Sequence, residues 1–421
     1  MKRILTGLGL AFASTSTALF AQPTGTMYGA PQPAQKPADQ TQDQVAPANA
    51  SGPQPSAKAR KAIVDLQTAV NANDTANFPA KLAAAQAVAN TKEDRYWVAV
   101  NQLKFASKTN DLASESAAVD ALATSGLMPA NQIAGFYSEL GAGYYNAKQY
   151  DQAVAAFEKQ KKLDPGNTDI LVNIAEIRNA QGRNADAVAS LQQAIQAASA
   201  GGKKADESLY KHAVSMAYQG KLANAGELSR QWVSAYPSSS SWHDTIAIYR
   251  NAHLGDSPYL IDIFRLATAT NSMQEVADYE LYSAKAADAG NWGEAKSVAD
   301  AAIASGKVPA SNKTISSVLV AAKGKVPTET DLAAAEKTAA IPTAFVRVGD
   351  RYYAAGNYAK AAALYRQGLA KGSDANLTNL RLGEALARSG DKAGAVSALS
   401  AVGGELAELA KLWLVYAQRS A

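Results

Sequence analysis

The strongest constraint on the fold lies between Tyr137 and Pro165. The order is Tyr137, Leu140, Gly141 and Tyr144, a short break, then Ala153, Phe157 and finally Pro165. Apolar residues recur at helical spacing on both sides of the break, so the stretch predicts two helices joined by a turn. Two antiparallel helices cross closely only where their side chains are small. Gly141 and Ala153 meet that need, and Tyr137, Leu140, Tyr144 and Phe157 fill the space around the crossing. Pro165 cannot continue a helix and ends the unit. Such a hairpin cannot bury its apolar face alone and must stack on neighbours.

The pattern returns along the chain. Units start near Ala134, Thr168, Asp206, Val276, Pro342 and Asn376. The small residue of the first helix is then Gly141, Ala175, Ala213, Ser283, Gly349 and Gly383. That of the second helix is Ala153, Ala187, Ala225, Ala295, Ala361 and Ala395, alanine each time. Gly182, Gly220, Gly290, Gly356 and Gly390 share one turn position, held by Lys148 in the first unit. Glycine there ends the first helix in a left-handed conformation without steric penalty. A looser unit near Ala310 keeps this glycine as Gly324 but has Glu329 in place of the alanine. Residues 240–275 predict an irregular pair with a turn at Gly255–Pro258. Four helices over 57–123 form two loose pairs, and Glu405–Gln418 closes the chain with Leu406, Leu409, Leu412, Trp413 and Tyr416 on one stripe.

These spacings resemble the tetratricopeptide-repeat family over roughly residues 57–421, most specifically over 134–201 and 342–403. The resemblance implies an all-α, right-handed α-solenoid of stacked helix-turn-helix repeats. The expected organisation is a signal peptide at 1–21, a Pro/Gln/Ala-rich linker at 22–56 and divergent repeats at 57–133. Repeats follow at 134–238, irregular ones at 239–341, repeats again at 342–404, and a capping helix at 405–421. Arg178 stands where the family has an aromatic residue, and His212 where it prefers an aliphatic one.

In this family the first helices line a concave face that holds extended peptides or partner helices. Carried over unit by unit, that face comprises Tyr145, Asn146, Glu176, Asn179, Tyr210, Lys211, Tyr218, Arg347, Asp350, Tyr353, Arg381, Glu384 and Arg388. Tyrosine offers apolar area with a hydrogen-bonding tip, and arginine a planar fork for carboxylates. The competing reading is a set of solvated helix faces. Ser138 and Ala142 stand where the family's carboxylate-clamp subtype needs polar ligands, which argues against capture of a partner's C-terminus by that mechanism.

The first residues read as an export leader. Lys2 and Arg3 precede an apolar run from Ile4 to Phe20, and small Ala21 can precede a cut that leaves Gln22 first. A retained anchor is the alternative, but the run is short and diluted by Ser and Thr. Pro23, Pro31, Pro33, Pro37, Pro47, Pro53 and Pro55 interrupt the next stretch, which reads as an extended tether. The chain has no cysteine, which excludes disulfides, thiol catalysis, zinc-thiolate sites and a lipid-anchored cysteine. A net charge of +4, two of it in the leader, argues against a nucleic-acid binder.

No catalytic, cofactor or metal motif stands out. His212, His243 and His253 fall in no ligand spacing. Asp111 and Glu115 lie one helical turn apart, as solvated carboxylates often do, and no such pair is flagged by apolar surroundings. Trp292, Tyr358 and Tyr150 each fall two residues after the turn position. They form either a glycan-stacking row or, more simply, lids leaning over the next unit. The expectation is a non-enzymatic scaffold exported to the bacterial envelope, binding a protein or peptide. The alternative is a glycan-binding, polysaccharide-export or outer-membrane-assembly scaffold.

Overall fold

The computed structural model describes residues 53–252 and 259–419. The leader, most of the linker, His253 and the Gly255–Pro258 turn lie outside these residues. The described residues hold 21 α-helices and no strand. The fold is an α-solenoid of helix hairpins, divided into two compact units at Leu222. The division falls inside the hairpin expected over Asp206–Ser238.

Unit 1 comprises α1 (Ala57–Asn71), α2 (Phe78–Val88), α3 (Lys92–Thr109), α4 (Leu112–Ser125), α5 (Ala130–Asn146), α6 (Tyr150–Leu163), α7 (Thr168–Ala180), α8 (Asn184–Ala198) and α9 (Glu207–Gln219). The first helices α1, α3, α5 and α7 each pack on their own second helix, and α4, α6 and α8 pack on the helix that follows. The last residues of the expected linker are not a free tether. Pro55 is buried. The Pro53 carbonyl accepts the Trp97 indole N–H at 2.8 Å. Asp94 accepts from the Ser56 amide at 2.7 Å and hydroxyl at 2.9 Å. The same carboxylate completes a capping box with Thr91 at the start of α3.

Unit 2 comprises α10 (Ala225–Ala235), α11 (Ser239–Ala252), α12 (Leu260–Ala269), α13 (Val276–Asp288), α14 (Trp292–Ala304), α15 (Lys313–Ala322), α16 (Glu329–Thr338), α17 (Pro342–Ala354), α18 (Tyr358–Ala370), α19 (Ala375–Ser389), α20 (Lys392–Ser400) and α21 (Ala407–Arg419). Its hairpins also succeed one another, but the end of the unit returns to its beginning: α21 packs on α10, and α19 on α12. Every residue of α12 from Leu260 to Ala267 is buried, Asp262 and Arg265 included. A helix apolar all round belongs inside a fold, and here the hairpins close around it.

The crossings explain the small residues. A Cβ on Gly141 would lie 2.5 Å from the Phe157 ring, one on Gly349 2.6 Å from Tyr365, and one on Gly383 2.4 Å from Leu399. Each glycine therefore accommodates a large residue one turn beyond the alanine of the second helix. In the Asp206 and Val276 units the first-helix residue is Ala213 or Ser283, and the corresponding second-helix residue shrinks to Ser229 or Ala299.

The turns follow the same economy. Lys148, Gly182, Gly290, Gly324, Gly356 and Gly390 all have positive φ. Gly220 does not: its φ is −74°, and Lys221 takes the left-handed conformation one residue later, at φ 51°. The helix runs one residue further before it turns. In divergent hairpins Asn73, Asn110 and Asn271 hold the left-handed position, which asparagine tolerates better than most residues.

Candidate functional site

The two units treat their first-helix faces differently. In unit 1 that face runs along α5, α7 and α9. Tyr145 is half-buried near the end of α5, its ring 5.8 Å from that of Tyr150. Burial first, then the charge of Glu176, raises its phenol pKa. Glu176 on α7 places Oε1 2.6 Å from Nε2 of His212 on α9. His212, which stands where the repeat pattern prefers an aliphatic residue, thus faces the neighbouring first helix. Asn146, Asn179, Lys211 and Tyr218 are exposed, and Tyr210 is half-buried. Lys211 forms an ion pair with Glu207 at 3.3 Å.

One departure from the repeat pattern is accommodated within its own hairpin. Arg178 reaches across its hairpin, Nη1 donating to Ser190 Oγ at 2.6 Å. It spans the gap an aromatic ring would fill, with a small hydroxyl residue receiving it. Tyr137 and Tyr144 satisfy their hydroxyls on Asp120 Oδ1 at 2.7 Å and the Leu112 carbonyl at 2.8 Å.

In unit 2 the corresponding face is covered by α12. Arg265 donates from Nε and Nη2 to the two oxygens of Glu294 at 2.8 and 2.9 Å. Its Nη1 faces Asp262 at 3.3 Å, and Asp350 and Glu384 at 3.5 Å. The Tyr353 ring lies 4.4 Å from the guanidinium carbon. Arg381 donates from Nε to Asp262 at 2.9 Å and from Nη1 to Asp350 at 2.8 Å. Tyr282 and Tyr365 donate to Glu294 and Asp350 at 2.6 and 2.8 Å. Burial works to lower the Arg265 pKa, but the surrounding carboxylates outweigh it and hold the residue charged.

Asp350, Tyr353, Arg381 and Glu384, expected on an open groove, are therefore engaged inside the fold. Of the unit 2 candidates, Arg347 is exposed. Arg388 is half-buried, bonded to the Tyr358 hydroxyl at 2.8 Å and stacked over its ring at 4.9 Å. Glu384 is fully buried, and burial first holds its pKa well above the usual carboxylate range. Asp262, Arg265 and Glu294 were not singled out in the sequence. The signal was present: two opposite charges one turn apart inside the apolar run Leu260–Ala267 mark a buried pair rather than a solvated one. The aromatic residues after the turns lean onto neighbours. Lys325 of the following hairpin lies 4.1 Å from the Trp292 ring, and Arg388 covers Tyr358.

Residues 139–203 and 348–403 match the tetratricopeptide repeat family. No curated protein matches the chain by sequence. Among solved structures, a chain in the structure of Naa15/Naa10 bound to HypK-THB is similar, with 13% identity and a TM-score of 0.23. That match covers 84% of this chain and 64% of the other.

Proposed function

We propose that this chain, two stretches of which are tetratricopeptide repeats, is an exported adaptor of the bacterial cell envelope that holds a protein or peptide partner on the first-helix face of unit 1. Repeats of this kind generally serve as protein-binding scaffolds rather than catalysts. One observation selects the unit: α12 fills the first-helix face of unit 2, whereas α5, α7 and α9 leave Asn146, Asn179, Lys211 and Tyr218 exposed. Tyrosines beside an acidic residue suit a partner segment with apolar and hydrogen-bonding groups in alternation. The basic, apolar beginning of the chain supports export, with Gln22 as the first mature residue.

Photoreactive side chains at Asn146, Asn179 and Tyr218, introduced one at a time in cells, should crosslink one common partner. The same probe at Gln152 or Ala155, exposed on the second helix α6, should not. Equal labelling from both faces would overturn the assignment. Fractionation tests the location separately: a cytosolic pool retaining residues 1–21 would remove export.

A further inference from the structure

The charge cluster of unit 2 is unbalanced. Two guanidinium groups, Arg265 and Arg381, face four carboxylates: Asp262 from α12, Glu294 from α14, Asp350 from α17 and Glu384 from α19. All four carboxylates and Arg265 are buried, and the Arg381 side chain is only 12% exposed. The donors are unequally shared. Glu294 receives both arms of Arg265 and the Tyr282 hydroxyl. Asp262 receives two donors of Arg381, and Asp350 receives a third together with the Tyr365 hydroxyl. Among the described residues Glu384 is left with a single contact of 3.5 Å, to an Arg265 nitrogen that also faces Asp262 and Asp350. Its other oxygen, Oε1, is buried without a partner. An ionised carboxylate in that position would be buried and almost unpaired, which proteins avoid by keeping the proton.

We propose that Glu384 is held as the neutral acid and works as a proton-dependent latch. Protonated, it lets α19 close against α12; ionised, it adds a second uncompensated negative charge to the cluster and loosens that closure. The charge counts decide this. With Glu384 neutral, three carboxylates face two cations; with Glu384 ionised, four do. The neighbours give the proton no other home. Asp262, Glu294 and Asp350 are each paired at close range, and the facing hydroxyls of Tyr282, Tyr353 and Tyr365 are themselves driven towards the protonated form, first by burial. The direction of the Glu384 shift agrees: burial raises its pKa first, Asp262 adds to this, and Arg265 and Arg381 oppose it.

The sign of the pH dependence follows. The folded-state pKa lies above the unfolded one, so the stabilisation is complete below the unfolded value and is lost as pH rises through the folded value. Hydrogen exchange of the full chain tests it. After correction for intrinsic chemistry, opening of α12 and α19 should grow about ten-fold per pH unit while the group is neutral when buried and ionised when exposed. Helices α7 and α8 of unit 1 provide the internal reference. Glu384→Gln should flatten that dependence. Infrared spectroscopy of the wild-type chain at neutral pH gives a readout independent of any variant's folding, the carbonyl band of a buried carboxylic acid. Absence of that band, or an unchanged pH slope in folded Glu384→Gln, would overturn the latch.

Discussion

At Gly349 a single hydrogen decides whether two helices meet. A Cβ there would lie 2.6 Å from one Tyr365 ring carbon and 2.9 Å from another. The ring cannot swing aside, because its hydroxyl is bonded to Asp350 at 2.8 Å within a buried network. Gly349→Ala should therefore lower stability by about 1–3 kcal/mol through overpacking. Gly135→Ala, on an exposed turn of α5 with nothing within 4 Å, should raise it by about 0.5–1 kcal/mol. Urea unfolding of both variants checks the sign, and equal effects would remove the assigned crossing. Asp94 poses the opposite case, a carboxylate that must stay charged. Burial works to raise its pKa, but hydrogen bonds from Ser56 and Thr91 prevail and hold it below the ordinary value. Its stabilisation is present above the unfolded-state pKa and is lost as pH falls through the depressed folded one. Acid should thus free residues 53–56, reported by the fluorescence of Trp97, whose indole is bonded to Pro53. Asp94→Ala should produce the same spectrum at neutral pH, at a cost of about 1–3 kcal/mol for the donors left unpaired.

At the scale of elements, α12 carries the largest consequence. Phe264 is 1% exposed and stacks on Tyr282 with ring centroids 5.3 Å apart. Phe264→Ala should cost about 3–5 kcal/mol, and exchange should accelerate in α19, far away in sequence, as well as in α13. Val320→Ser, at a residue 64% exposed on α15, should leave both untouched. This helix also shows what a sequence discloses. The hairpins were legible because close crossings demand small residues at fixed spacing, a local rule that Gly141 and Ala153 state outright. The four helices expected over 57–123 are present as α1 to α4 for the same reason, since turns and caps are local. Pairing across long separations obeys no local rule. Asp350, Arg381 and Glu384 occupy the positions that face a partner in a repeat, and the repeat pattern alone assigns them to an open groove. Only the arrival of Arg265 from α12 makes that partner internal. At Gly220 the local rule was right in kind and wrong by one residue, because Lys221 accepts the left-handed turn instead.

At the scale of whole units, connectivity decides how damage spreads. In unit 1 each hairpin touches chiefly its neighbours, so stability is close to a sum of local terms and a lesion should fade with distance along the stack. Unit 2 has closed the stack: α21 packs on α10, the Arg419 guanidinium donates to the Ser234 carbonyl, and one apolar cluster runs from Val233 to Ala417. Trp413 on α21 is fully buried. Its ring packs edge-on to Tyr416 with centroids 5.5 Å apart. Trp413→Ala should cost about 3–5 kcal/mol. In an open stack the loss would be felt in α20 and hardly at all in α10, which is the most distant helix of the unit in sequence. In the closed unit, hydrogen exchange should accelerate in α10 about as much as in α20. The matched lesion in unit 1, Leu140→Ala on α5, should accelerate exchange in α4 to α7 and spare α1. A Trp413→Ala protein in which α10 keeps its protection while α20 loses it would mean that unit 2 behaves as an open ribbon, and that Arg265 and its carboxylates do not bind its two ends into one cooperative body.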